Sequence, residues 1–333
     1  MMILHSRVLR AFVVAAAPAL AVGAVAAPRS ETLVPVPAAK SPVATQSPVL
    51  GAAWAGNRLV SVGANGVVLL SDDQGVTFRQ ALQVPVSSVL TSVSFVGPKT
   101  GWAVGHWGAI LATTDGGETW RIQRLSTEED RPLFAVHFFD AQHGVAVGLW
   151  SLVLVTQDGG ATWTEQRVSR KAGIKSDLNL LGLFPDGKGG VFATAEKGQV
   201  LHSVDYGRTW QYLDTGYNGS LWCGAMLDGG VLLVGGQRGT LMRSEDGGRS
   251  WMRIPLKTAS SITSIANRNG DVMIVGLGGF AAQSHDGGRT FTESIRAGGA
   301  PLTAALAAGA GKWLTFSQRG VVQDDPAISQ SHN

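Results

Sequence analysis

Thr113-Thr114-Asp115-Gly116-Gly117-Glu118-Thr119-Trp120 decides the fold of this chain, because the stretch recurs. The pattern Ser/Thr-x-Asp-x-Gly-x-Thr/Ser-Trp/Phe occurs six times, at Ser71–Phe78, Thr113–Trp120, Thr156–Trp163, Ser203–Trp210, Ser244–Trp251 and Ser284–Phe291. Its aspartates are Asp73, Asp115, Asp158, Asp205, Asp246 and Asp286, spaced by 42, 43, 47, 41 and 40 residues. A near-constant period of that length marks a repeat architecture. Around the second copy, Leu90–Val96, Gly101–Val104, Ala109–Thr113 and Thr119–Gln123 read as four short strands, punctuated by Gly, Pro and Asp. Four strands per ~40–45 residues is one blade of a β-propeller.

Each part of the octapeptide has a local task. The Asp accepts backbone N–H groups across its own turn. The Gly two residues on takes a positive φ at low cost. The closing Trp or Phe fills the space between neighbouring sheets. These six aspartates are therefore read as structural, not catalytic. A calcium loop needs six or more oxygen ligands, and the further carboxylates are missing, so no metal or other cofactor is expected.

Leu302–Gly309, Lys312–Ser317 and Val321–Gln323 repeat the first three strand signals without a box. The expected fold is all-β: a seven-bladed propeller of four-stranded antiparallel blades over 49–325, with six blades and a tail as the alternative. Residues 27–48 carry five prolines and read either as a linker or as the strand that completes the seventh blade. Residues 326–333 are a C-terminal tail.

Residues 1–26 read as a signal peptide. His5, Arg7 and Arg10 precede an apolar run from Ala11 to Val25, followed by small residues that suit cleavage after Ala26. The run is shorter than the ~20 residues a membrane-spanning helix prefers. The expectation is a periplasmic protein, peripheral to the inner membrane. Removing that segment leaves 25 basic against 24 acidic residues, without a basic cluster, so a nucleic-acid partner is not expected. One Cys among 333 residues rules out a disulfide framework. Cys223 lies in an inner-strand run and reads as a small buried hydrophobe.

In a meander, first-to-second and third-to-fourth turns share one end of the blade. All six boxes therefore fall on one end of the ring. The opposite end carries the second-to-third turns and the blade connections. Its turns include His106 and Trp107, Trp150, Lys197, Arg238 and Arg319. Arg121, Arg124, Arg131, Arg167, Arg170, Lys171 and Lys175 lie in the connections, with Glu128, Glu129, Asp130 and Asp177 beside them. Exposed Trp and Arg at loop tips are typical anchors of an interface. Two readings stay open: the Trp pair packs inward and the cations are solvated, or this end captures a partner.

The texture Gly101-Trp102-Ala103-Val104-Gly105, Gly108-Ala109-Ile110-Leu111, then Thr114–Trp120, repeated in Gly144–Gly148 with Asp158-Gly159-Gly160, resembles the photosystem II assembly and stability factor family of Asp-box (BNR-repeat) propellers. The resemblance spans roughly 49–325. It implies a non-enzymatic, monomeric propeller that binds a segment of a maturing membrane protein. Related sequences in non-photosynthetic bacteria accompany exporters of the resistance-nodulation-division type, and the exported N-terminus matches such a member. The basic patch of the photosynthetic members corresponds here to Lys197, Arg238 and Arg319.

An enzyme is the competing class. Asp-box folds also serve sialidases and glucanases, and a glycoside hydrolase is the alternative function. Such an enzyme needs two carboxylates facing across a cleft, and the inner-strand runs are small and apolar.

Overall fold

A computed structural model describes residues 34–322 except 127, 170, 171 and 174–176. The expected signal peptide, residues 27–33 of the linker and the C-terminal tail lie outside the described residues. No helix among the described residues is long and apolar enough to cross a membrane.

The described chain forms seven antiparallel sheets in sequence order, six of four strands and one of three. The fold is the seven-bladed propeller that the repeat implies. The first strands of the blades are Val49–Ala55, Leu90–Val96, Leu133–Phe138, Leu180–Pro185, Leu221–Met226, Ile262–Arg268 and Leu302–Ala307. They line a central channel of about 550 Å³. The outermost strand of each four-stranded blade is short and polar, as in Arg121–Arg124 or Thr164–Gln166.

First strands of adjacent blades are not paired as a ladder, and side chains bridge them instead. The Thr91 hydroxyl donates to Leu133 O at 2.7 Å and that of Thr263 to Leu302 O at 2.8 Å. The ring closes by the same device: Thr303 donates to Val49 O at 2.6 Å, and Trp54 Nε1 donates to Ala307 O at 2.9 Å. Such hydroxyls satisfy carbonyls that would otherwise be buried without partners.

The box works as its chemistry predicts. In the second blade the Thr113 hydroxyl donates to Asp115 Oδ1 at 2.7 Å and accepts the Gly117 N–H at 3.0 Å. Asp115 then accepts the Thr119 N–H and hydroxyl at 3.0 and 2.5 Å. The same bonds recur from Ser71 and Asp73 to Ser284 and Asp286. The Thr77 hydroxyl and N–H hold Asp73 down at about 2, and Thr162 does the same for Asp158.

The box aromatics fill the seams between sheets. Trp120 is buried against Val60 and Leu70 of the first blade, and Phe78 meets Phe316 of the seventh edge-on at 6.3 Å. Trp163, Trp210, Trp251 and Phe291 pack into the next seams round the ring. The seam between the sixth and seventh blades has no box aromatic. There Trp313, 8% exposed, takes the place, with the Arg268 guanidinium 5.2 Å from its ring centre.

The Gly-x-Ala-Val-Gly texture also has a steric cause. A Cβ on Gly105 would stand 2.0 Å from Val89 O, and one on Gly148 2.1 Å from Pro132 O. These carbonyls accept the His106 and Leu149 N–H groups at 2.9 and 3.0 Å, which locks each turn onto the preceding connection. Ala195 and Ser317 take this place in the fourth and seventh blades, where the Glu196 and Gln318 N–H groups make the equivalent bonds to Asn179 O and Pro301 O at 3.3 and 3.0 Å.

Among the described residues the seventh sheet ends at Gly320–Val322. Residues 34–48 contribute no strand to it. They run along the first blade, where the Ala38 N–H donates to Val84 O at 3.0 Å and the Ser41 N–H to Gln80 Oε1 at 3.1 Å. Ala44 packs with Leu59 and Phe316 in the seam between first and seventh blades.

Candidate functional site: the turn rim

The topology puts every box on one end, where the Gly116, Gly159 and Gly287 N–H groups bond to first-to-second turns of the same blades. Arg58 and Arg79 pair there with Asp72 and Glu118, tying first blade to second. The other end is the rim of second-to-third turns and blade connections.

The rim turns share one backbone. An N–H three residues on bonds back to the first carbonyl: Val67 to Ala64, Ala109 to His106, Leu152 to Leu149, Gln199 to Glu196 and Thr240 to Gln237, at 3.0–3.2 Å. The two central residues both have positive φ: Asn65-Gly66, Trp107-Gly108, Trp150-Ser151, Lys197-Gly198, Arg238-Gly239 and Gly278-Gly279. This is the type I′ arrangement of tight hairpins, for which Asn-Gly is the preferred sequence. Asn65-Gly66 follows that rule. Trp107, Trp150, Lys197 and Arg238 break it, each at about 1–2 kcal/mol. Backbone strain of this kind clusters at functional sites. The seventh turn differs: Gly320 alone has positive φ, and the Arg319 N–H rests on Ser317 Oγ at 3.0 Å.

All six residues expected to contact a partner lie on this rim. Lys197, Arg238 and Arg319 are exposed, and Trp150 is 51% exposed. Trp107 is half-buried, and His106 bonds through Nδ1 to Asp130 at 3.1 Å. Of the Trp pair, one thus packs partly inward and the other stands in the open. The connection cations are less available than the sequence suggests. Arg124 donates to Gly108 O at 2.6 Å, and burial lowers the pKa of its guanidinium. Arg131 pairs with Glu165 at 3.2 Å. Arg170, Lys171 and Lys175 lie outside the described residues.

Three supports were not read from the sequence. Asp130 accepts the Trp107 N–H at 2.6 Å, Asn179 that of Trp150 at 3.0 Å, and Ser261 that of Arg238 at 3.4 Å. A polar residue in each connection is their sole sequence signal.

The channel walls hold Ser92, Ser94, His137, Trp54, Trp222 and Cys223, and no carboxylate is among the lining residues. Burial pushes His137 down to about 4, so it is neutral at pH 7. Burial pushes the Cys223 thiol up to about 12, and its Sγ lies 3.7 Å from Gly235 O. That leaves it as thiol, a packing group and not a nucleophile. Among the described residues no cluster of His, Cys, Asp and Glu has metal-binding geometry.

Fold and rim define an Asp-box propeller with one specialised end. Its likeness to known proteins is specific. A family model described as photosynthesis system II assembly factor YCF48 matches residues 76–135 and 130–218. The photosystem II assembly protein Ycf48 of Synechococcus sp. (strain JA-3-3Ab) is 32% identical over 77 residues, which are 22% of this chain and 23% of that protein. Two solved structures share the fold at a TM-score of 0.67: YCF48 bound to D1 peptide, at 20% identity over 84% of this chain and 95% of that one, and YCF48 from Cyanidioschyzon merolae, at 19% identity over 83% and 95%. The resemblance read from the sequence is borne out as a likeness: the chain is similar to photosystem II assembly factors in sequence over residues 76–218 and in fold over most of its length.

Proposed function

We propose that this chain is a non-catalytic scaffold that assists the assembly or operation of a membrane protein complex by capturing a segment of it on the turn rim. Its place of action is the periplasm, peripheral to the inner membrane, and an exporter of the resistance-nodulation-division type is the candidate client. One observation carries this reading: a single end of the ring holds Trp, Trp, Lys and Arg at strained apices where Asn or Gly would fold more easily. Strained Gln74 and Tyr206 occur on the box end as well, so it is the gathering of aromatic and cationic side chains at these apices that favours binding. The relatives support it, being named as assembly factors, one of them solved with a D1 peptide. The test is crosslinking in intact cells followed by mass spectrometry. A membrane protein is expected among the partners, and Lys197→Asn with Arg238→Asn should reduce its yield while the thermal unfolding curve is kept. An unchanged yield removes the rim from the mechanism.

A further inference from the structure

All seven first strands carry a β-bulge at the same point. Each bulge leaves one residue unmatched in the ladder: Thr91, Thr263 and Thr303 in the second, sixth and seventh blades, and Leu50, Phe134, Leu181 and Trp222 in the first, third, fourth and fifth. A bulge re-aims the side chain it carries, and all of these residues line the central channel. They form its rim-side mouth. Each stands two residues after the carbonyl that accepts the first N–H of a rim turn, as Phe134 follows Pro132 and Trp222 follows Ser220, so the ring of bulges lies about 7 Å along the strands from the turns.

The two kinds of bulge residue do different things. The threonines serve the fold, since each donates its hydroxyl to the first strand of the next blade, at Leu133 O, Leu302 O and Val49 O. Leu50, Phe134, Leu181 and Trp222 have no group for that bond. Their side chains are half-buried, and Phe134, Leu181 and Trp222 follow one another in consecutive blades. One arc of the mouth is therefore apolar and open to the channel. The residues lining the channel include no Asp, Glu, Lys or Arg, and burial keeps the His137 imidazole and the Cys223 thiol uncharged at pH 7. A charged group entering there would lose water without meeting a counter-charge. The channel volume of about 550 Å³ lies in the range of sites that take a ring-sized group.

We infer that the arc of Phe134, Leu181 and Trp222 is a socket for an uncharged aromatic side chain of the segment captured on the rim. It lies at the centre of the ring of turns, where an interface keeps its desolvated aromatic anchors inside a polar surround. Lys197 and Arg238, exposed on the turn apices, supply that surround. Offset or edge-to-face packing on Phe134 and Trp222 adds to the gain from burying the ring. The inference deepens the function proposed above and rests on it, since it names the chemistry of the residue by which the segment is held.

The probe is N-acetyl-para-fluoro-L-phenylalaninamide, an uncharged blocked residue, titrated into the purified chain and followed by fluorine NMR. Saturable binding is expected. Leu181→Thr with Trp222→Thr should weaken it about tenfold or more. Threonine is the natural residue at three of the seven bulges, so the fold is kept, and a cooperative melt checks this. Phe134→Thr alone should act in the same direction. Para-fluorobenzoate, which carries a charge on the same ring, should not compete. No saturable binding of the blocked residue, binding indifferent to these substitutions, or equally tight binding of para-fluorobenzoate overturns the inference. In cells, Leu181→Thr with Trp222→Thr should lower the crosslinked yield of the membrane protein. An unchanged yield despite lost probe binding also overturns the inference, because the socket would then serve a free ligand and not the captured segment. The rim function is tested through Lys197 and Arg238 alone, so it and the socket can fail separately.

Discussion

Thr113 and Thr240 offer the same substitution in opposite settings. Both side chains are buried, at 2% and 0% exposure. The Thr113 hydroxyl joins Asp115 to the buried Gly117 N–H, at 2.7 and 3.0 Å. The Thr240 hydroxyl is buried and bonds to no described residue. Threonine to valine keeps the shape and replaces O–H by CH₃. At Thr113 it removes the bond to Asp115 Oδ1, which contributes about 1 kcal/mol net, and leaves the Gly117 N–H unsatisfied, which costs about 1–3 kcal/mol. A loss of about 2–4 kcal/mol follows. At Thr240 it removes a hydroxyl already desolvated without return, so stability should hold or rise by up to about 1 kcal/mol. Strand propensity does not separate the two, since Val and Thr are both favoured. Urea unfolding followed by circular dichroism reads the difference as a shift of midpoint at constant slope. Equal losses at the two positions would refute the claim that box hydroxyls hold the turns.

Arg238→Asn restores the Asn-Gly pair of the first blade's rim turn and should raise stability by about 0.5–1 kcal/mol in thermal melts while lowering partner capture. Trp313→Ala should cost about 3–5 kcal/mol, because it empties the seam between sixth and seventh blades that no box aromatic fills; differential scanning calorimetry checks this. The box carboxylates set acid stability. Asp73 and Asp158 are held at about 2 in the folded chain, below their unfolded value of about 3.9, so their contribution is present above that value and is lost as pH falls through about 2. Asp73→Asn with Asp158→Asn should flatten the decline of the urea midpoint between pH 5 and pH 2.

The repeat made the ring legible, since the octapeptides name both the blade and the end on which its turn lies. Even the boxless seventh blade was visible through Leu302, Trp313 and Val321. The course of residues 34–48 was not legible. Proline content spells an extended chain, but not whether it pairs with Val322 or lies along Gln80 and Val84. On the rim, the residue types were readable and their backbone was not. Asn65-Gly66 and Gly278-Gly279 carry the ordinary signature of a primed turn; Trp107, Trp150, Lys197 and Arg238 hide the same geometry under side chains that disfavour it. The sequence also overstates the free positive charge, because Arg124 and Arg131 are used on a carbonyl and a carboxylate.

Because each apex side chain hangs on a turn whose shape is fixed by carbonyls and N–H groups beneath it, the rim is interchangeable by parts. One apex can be exchanged for another residue at a cost near 1 kcal/mol, without asking any strand to move. On the function proposed above, a propeller of this design changes clients through point substitutions at its tips while the walls below stay as they are.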